Sequence, residues 1–468
     1  MMNISTKNRK KFLALALSIS CLGGCSALGY AAMKQQPMAI FTNVRHAAPP
    51  QGELPPGPPP DGKFGGMQAA ASDASQLTAV KICQQGNETL TGQTLNASRQ
   101  DESALLVRQG AVLTLTNSTL SKTGDSSSAD ASNFTGQNAI ILVNGSTARL
   151  ENLTLFSDAD GANAVFSTGE KSVVNAKHLT IHTKNNSSRG LDATYGGTIN
   201  AEDVDITTEG AHCGALATDR GEGNVIVTGA KIKTSGEGSP CIYSTGNIQL
   251  SNGHGEATGS EIAVVEGKNS ITLTNSTLTG HIKHGVMLYQ SFSGDANVGV
   301  AKFTVKDSTL NNQSDGPMFY ITNTTAAATL ENTELVQSGD ILVKVTSDRW
   351  GSTGKNGGDF TLTAKNQRLQ GRILANNISK VTLNLGAQAS FTGTINEDYQ
   401  AEAANITLDK DAVWNLTADA YVTAITDAAT DFSNISSNGH NIYYDKASNP
   451  DLKGQTITLP GGGKLTAK

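Results

Sequence analysis

The chain has 468 residues, 16% of them charged and 5% aromatic, with 49 Gly and a net charge of −6. That acidic balance argues against a nucleic-acid or anionic-membrane binder. Asn, Thr, Ser and Gly stand where charge is usually found, a bias toward strands and tight turns over helices, and 37% hydrophobic residues supply a large core.

The first segment reads as an address. Lys7, Arg9, Lys10 and Lys11 precede an apolar run from Phe12 to Leu22, which suits a secretory signal and falls short of the roughly 20 residues that span a bilayer. Leu22-Gly23-Gly24-Cys25 resembles the bacterial lipoprotein processing site. The resemblance implies a signal peptide over 1–24 and a lipid on Cys25. Ser26, which follows, points to the outer membrane or cell surface. The expected membrane contact is through that lipid only, and two or more acyl chains anchor stably. Once Cys21 leaves and Cys25 is lipidated, Cys83, Cys213 and Cys241 remain, an odd set that does not read as a disulfide scaffold. Residues 25–76 hold eight of the twelve prolines and read as a disordered, partly polyproline tether.

From residue 77 a phrase recurs: Thr116-Asn-Ser-Thr-Leu120, Glu151-Asn-Leu-Thr-Leu155, Glu202-Asp-Val-Asp-Ile206, Thr274-Asn-Ser-Thr-Leu278, Lys306-Asp-Ser-Thr-Leu310, Glu331-Asn-Thr-Glu-Leu335 and Lys365-Asn-Gln-Arg-Leu369, with degenerate copies ending at Ile181, Ile232 and Gly255. The base period is 23 to 26 residues, with three longer coils ending at 155, 310 and 369. No helical periodicity interrupts it. Units this small bury an apolar side only by stacking, at about 4.8 Å per rung. Parallel crossovers are right-handed. The expected fold is therefore all-β: a right-handed parallel β-helix over 77–372, of roughly 12 to 15 rungs and about 60 to 70 Å, with further rungs and a cap over 373–468. Asn or Asp at the second position of the phrase predicts a left-handed bend whose side chains bond rung to rung. The closing phrases, among them Val413-Trp-Asn-Leu416 and Tyr421-Val-Thr-Ala-Ile425, resemble the last rungs of autotransporter passenger domains, with Trp414 and Tyr421 as caps.

The middle rungs carry unusual phrases: Ser188-Arg-Gly-Leu-Asp-Ala-Thr194, His212-Cys-Gly-Ala-Leu-Ala-Thr-Asp-Arg220, Ser239-Pro-Cys-Ile-Tyr-Ser-Thr245, His284-Gly-Val-Met-Leu-Tyr289, Gly316-Pro-Met-Phe-Tyr320 and Asp348-Arg-Trp350. Together they resemble a family of exported, adhesin-like β-helix proteins of anaerobic bacteria and some archaea. The resemblance covers about residues 80 to 460. It implies a fold and a surface location, and no active-site residues carry over.

Each phrase sits on the first strand of a rung. Aligned on the residue that follows the strand, a polar column reads Tyr195, Asp219, Thr245, Glu266, Gln290 and Thr322, with Asp192 beside Leu216 further up. Both faces of this sheet are largely apolar, as for strands covered on both sides. Cover is the favoured reading, with insertions near Gln290–Gly299 and Asp348–Gly358 to supply it. The functional expectation is an adhesin or glycan-binding surface without catalysis, its partner a surface glycan or a cell-surface receptor. In an open trough Tyr289, Tyr320 and Trp350 would stack on sugars, while Arg189, Asp192, Tyr195, Asp219, Arg220, Glu222, Glu266 and Lys268 would bond hydroxyls or carboxylates. The alternative is a polysaccharide lyase or glycoside hydrolase on the same trough, using Asp219 and Glu266 with Arg220 and Lys268; a second alternative is a passive structural surface protein. No cofactor is expected beyond a weak calcium candidate at Asp158, Asp160 and Asn163. Cys213 and Cys241 read as buried thiols, too far apart to bridge.

Overall fold

The computed structural model describes residues 76–468. The expected signal peptide, Cys25 and all but the last residue of the expected tether lie outside the described residues. The described chain is a parallel β-helix. Fifteen strands link in parallel from Thr78–Gln84 to Ile435–Ser436 and include the short strands of the first face. Eleven-residue strands such as Val112–Lys122, Thr147–Ser157, Val173–Thr183, Thr198–Thr208, Asn224–Thr234 and Asn247–Ala257 make the second and third faces. Each pairs in register with the next.

These long strands bend where the recurring phrase places its Asn or Asp. Asn117, Asn152, Asp203, Asn275, Asp307, Asn332 and Asn366 all have φ between +43° and +55°. Short polar side chains tolerate this left-handed region better than others do. The stacked side chains then bond along the helix axis, as expected. Asn152 donates to Asn117 at 3.1 Å, Asn275 to Asn252 at 2.6 Å and Asn332 to Asp307 at 2.7 Å.

On either side of the bend, alternate residues enter the core. In Val112–Lys122, Leu113, Leu115 and Leu120 are buried while Thr114, Thr116 and Thr119 face out. The Leu120 column continues through Leu155, Ile181, Ile206, Ile232, Leu278 and Leu310. Gly255 stands in it without a side chain because a Cβ there would meet Leu278 at 2.7 Å and the Cys241 sulfur at 3.1 Å. Cys83, Cys213 and Cys241 are free and buried, in line with the sequence reading. Burial pushes the Cys213 thiol up to about 12, which keeps it in the protonated form at neutral pH.

The ends differ. On the first rung Lys81 and Glu88 take the positions above Leu105 and Leu113 and form an ion pair over the core. At the other end Trp414 is fully buried, donates Nε1–H to Gly393 O at 3.0 Å and lies 6.2 Å from the Phe391 ring. Tyr421 is not a core cap. It falls between the inward residues Ala420 and Val422 and turns outward, stacking on Tyr443 at 4.9 Å and lying tilted against Tyr399 at 5.0 Å.

One helix corrects the sequence reading. Ala129–Thr135 is α-helical, started by the Ser128 hydroxyl accepting from Ala131 N–H and ended by Gly136 at φ +73°. At seven residues it is too short to show a helical period.

Candidate functional site

The register of the first face departs from the alignment on turn residues. Asp192 lies beside Ala217 and in column with Tyr243, Val264, Met287 and Tyr320. Tyr289, not Gln290, lies beside Glu266. The turn into the second face is one residue longer after Thr218 than after Ala193, so counting from the turn shifts the strand. The ladder between these strands ends at Ala217–Tyr243 and Ser244–Val265, short of Asp219 and Thr245.

Three excursions cover this face. The helix from the long coil before Leu155 reaches it first: Asn133 accepts from Arg189 Nη1 at 2.7 Å, the Phe134 carbonyl accepts from Thr194 at 2.9 Å, and the Arg220 guanidinium lies 3.8 Å over the Phe134 ring. The loop after Tyr289 comes next. Its Asp295 accepts from Arg220 Nη2 at 2.6 Å and Nε at 2.9 Å, Ser291 bonds Glu266, and Asn297 donates to Glu222 at 2.9 Å. The loop after Val345 lays Trp350 at 5.3 Å from the Tyr289 ring, and Asp348 accepts from Tyr320 at 2.9 Å. The two insertions expected to cover the sheet do so; the helix was not foreseen.

The trough is therefore not open. Arg189, Asp192, Asp219, Glu266, Tyr289, Tyr320 and Trp350 are all at least nine-tenths buried, so none of them meets a polymer in this arrangement. Tyr195, Arg220 and Glu222 sit half-buried at the rim, and Lys268 is exposed and paired with Glu222 at 2.9 Å.

Beneath the cover lies a polar network with more carboxylates than cations. Arg189 bridges Asp219 at 2.9 Å and Asp192 at 3.4 Å. Burial raises the Asp192 carboxyl to about 6 and lifts Asp219 well above the usual range, while Arg189 pulls both down. Glu266 is also raised by burial and by the nearby Asp295, although Tyr243 and Tyr289 donate to it at 2.7 and 2.9 Å. With Asp219 held by a guanidinium and Glu266 surrounded by hydroxyls, neither carboxyl is presented to a substrate, and a glycosidase needs both.

The calcium candidates do not converge. Asp158 pairs with Lys184 at 3.7 Å, Asp160 accepts from Asn186 N–H at 3.0 Å, and the Asn163 side-chain oxygen accepts from Arg189 N–H at 2.8 Å. Among the described residues no cluster of three His, Cys, Asp or Glu is arranged around a common point.

Depressions among the described residues remain open on the other faces. One, of about 610 Å³, runs across the bare second face and is lined by Thr114, Arg149, Asn175, Lys177, Asn200 and Glu202. Asn200 donates to Asn175 at 3.1 Å and Lys177 pairs with Glu202 at 3.0 Å. The sequence reading passed over these residues, although alternation within each phrase already marks them as outward. Another, of about 1370 Å³, opens in the third face between Glu334–Gln337 and Arg368–Gly371. No described protein family, curated protein or solved structure matches the chain.

Proposed function

We propose that the protein is a lipid-anchored surface solenoid that binds glycans through its second face and catalyses nothing. One observation carries this reading: the depression at Arg149, Asn175 and Asn200 sets amide, hydroxyl and charged groups on successive rungs of a rigid sheet. That spacing, about 4.8 Å between rungs, lets one ladder address the hydroxyls of several sugar units. The address-like first segment supports display at the outer membrane or cell surface, with Cys25 as the lipid site. The burial of Asp219 and Glu266 speaks against the lyase or hydrolase alternative, and a passive structural role needs no such ladder.

A glycan array probed with the mature chain tests the reading. Binding that falls about tenfold in an Arg149→Ala, Asn175→Ala double variant supports it; no binding to any glycan leaves the passive structural role. Labelled palmitate incorporation, lost in Cys25→Ala, tests the anchor.

A further inference from the structure

We infer that the cleft in the third face is a slot for one extended peptide strand of a partner protein. The third face is otherwise a continuous parallel ladder, from Thr94–Ala97 to Glu334–Gln337. The next strand, Arg368–Ala375, does not continue it; it pairs instead with Ile341–Val345 on one side and Ser390–Ile395 on the other.

The two walls are pinned at both ends and bowed between them. Asn332 N–H donates to Asn366 O at 3.2 Å, and Arg372 N–H donates to Asp340 O at 2.8 Å. Between these anchors the earlier rung spends seven residues (333–339) and the later one five (367–371). Among the described residues no backbone hydrogen bond joins Leu335–Gln337 to Arg368–Gln370.

The unmet backbone groups point at each other. Glu334 N–H goes to Ser308 O at 2.8 Å and Ser338 N–H to Asn312 O at 3.1 Å. Strand alternation then turns the N–H and C=O of Leu335 and Gln337 into the cleft. On the opposite wall Ser390 N–H donates to Gln367 O at 2.8 Å, which turns the N–H of Arg368 and the N–H and C=O of Gln370 into it; Arg368 O faces the same way but already accepts from the Gln367 amide. Two parallel edges with free donors and acceptors face one another, and strand addition satisfies such edges.

The width is marked by a side chain. The Gln367 amide sits where the walls begin to part; it accepts from Thr333 N–H at 2.8 Å and donates to Thr333 O at 2.6 Å and to Arg368 O at 2.7 Å. One amide group thus spans the gap as a peptide unit would. Leu335 is half-exposed here, although Leu310 and Leu369 of the same inward series are buried. An inserted strand would bring a central apolar side chain over Leu335. Its flanking side chains would face outward between Glu334 and Arg368, and between Val336 and Gln370. The fitting ligand is an extended segment of about four residues, polar–apolar–polar, like Thr309-Leu310-Asn311 of the neighbouring rung.

The probe is therefore the fluorescent peptide acetyl-Ser-Thr-Leu-Asn-Asn-amide, titrated against the purified full chain by anisotropy. Saturable binding is expected, weakened about tenfold when the Leu nitrogen is methylated or when Leu is replaced by Asp. Hydrogen exchange at Leu335, Gln337, Arg368 and Gln370 should slow on binding. Absence of binding overturns the proposal, as does equal binding of the methylated peptide. It is also overturned if these four amides of the free chain already exchange as slowly as those of Thr309–Asn312, since the slot is then closed or filled by the chain itself.

Discussion

Strand Leu191–Thr194 on the first face and the first half of Thr198–Thr208 on the second belong to one rung and are separated by a three-residue turn. Both alternate inward and outward. On the second face the outward residues Thr198, Asn200 and Glu202 meet solvent, and Asn200 bonds only to its neighbour up the stack. On the first face the outward residues Asp192 and Thr194 are completely buried. What separates them is not the strand but the excursions that fold back over one side. The difference teaches that a carboxylate on a solenoid is not thereby a surface group. Asp192, Asp219 and Glu266 are kept from solvent because something lies over them.

The largest effect that sharpens this contrast comes from Arg189. Arg189→Ala leaves Asp192 and Asp219 buried without their cation and should cost about 3–5 kcal/mol in urea unfolding. A loss near zero would mean that the cover opens readily. Next is Trp350→Ala, which removes the ring packed on Tyr289 and should cost about 3 kcal/mol. It should also raise Tyr289 exposure, read by chemical nitration.

The same contrast predicts a pH dependence. Burial raises Asp192 to about 6, above the unfolded value near 3.9. Between about pH 4 and pH 6 the folded state then holds a proton that the unfolded state has lost, so this group stabilises the fold at low pH and its contribution declines as pH rises through that window. Asp192→Asn should flatten the decline in Tm measured between those pH values, and an unchanged slope would break the assignment.

Smaller effects are expected outside the cover. Asn275→Ala places an ordinary side chain at φ +47° and loses the bond to Asn252, for a cost of about 1 kcal/mol, of which Asn275→Gly should recover the backbone part but not the lost bond. Smallest of all, Arg149→Ala on the bare second face should change stability by less than about 0.5 kcal/mol. A larger loss would show that this face is packed against something.

Much of this molecule is written locally. The period, the apolar alternation and the Asn or Asp bends follow from residues within one rung of each other, so stacking, the long bent strands and the left-handed φ at Asn117 or Asn332 could be read directly. The polar cluster was legible only as a set of residue types. Its column register slipped at Asp192 and Tyr289, because a turn one residue longer or shorter leaves no mark in strand composition. The helix at 129–135 was invisible for a similar reason, being a single capped segment without a period.

The sequence alone determined that the chain winds, because a small repeat with one apolar side has no other way to bury it. Tertiary structure alone decided which outward faces stay outward. Asn133 reaches Arg189 across 56 residues, and Asp295 reaches Arg220 across 75. Contacts so distant depend on where each excursion lands after the rungs have stacked, and no local propensity encodes that landing.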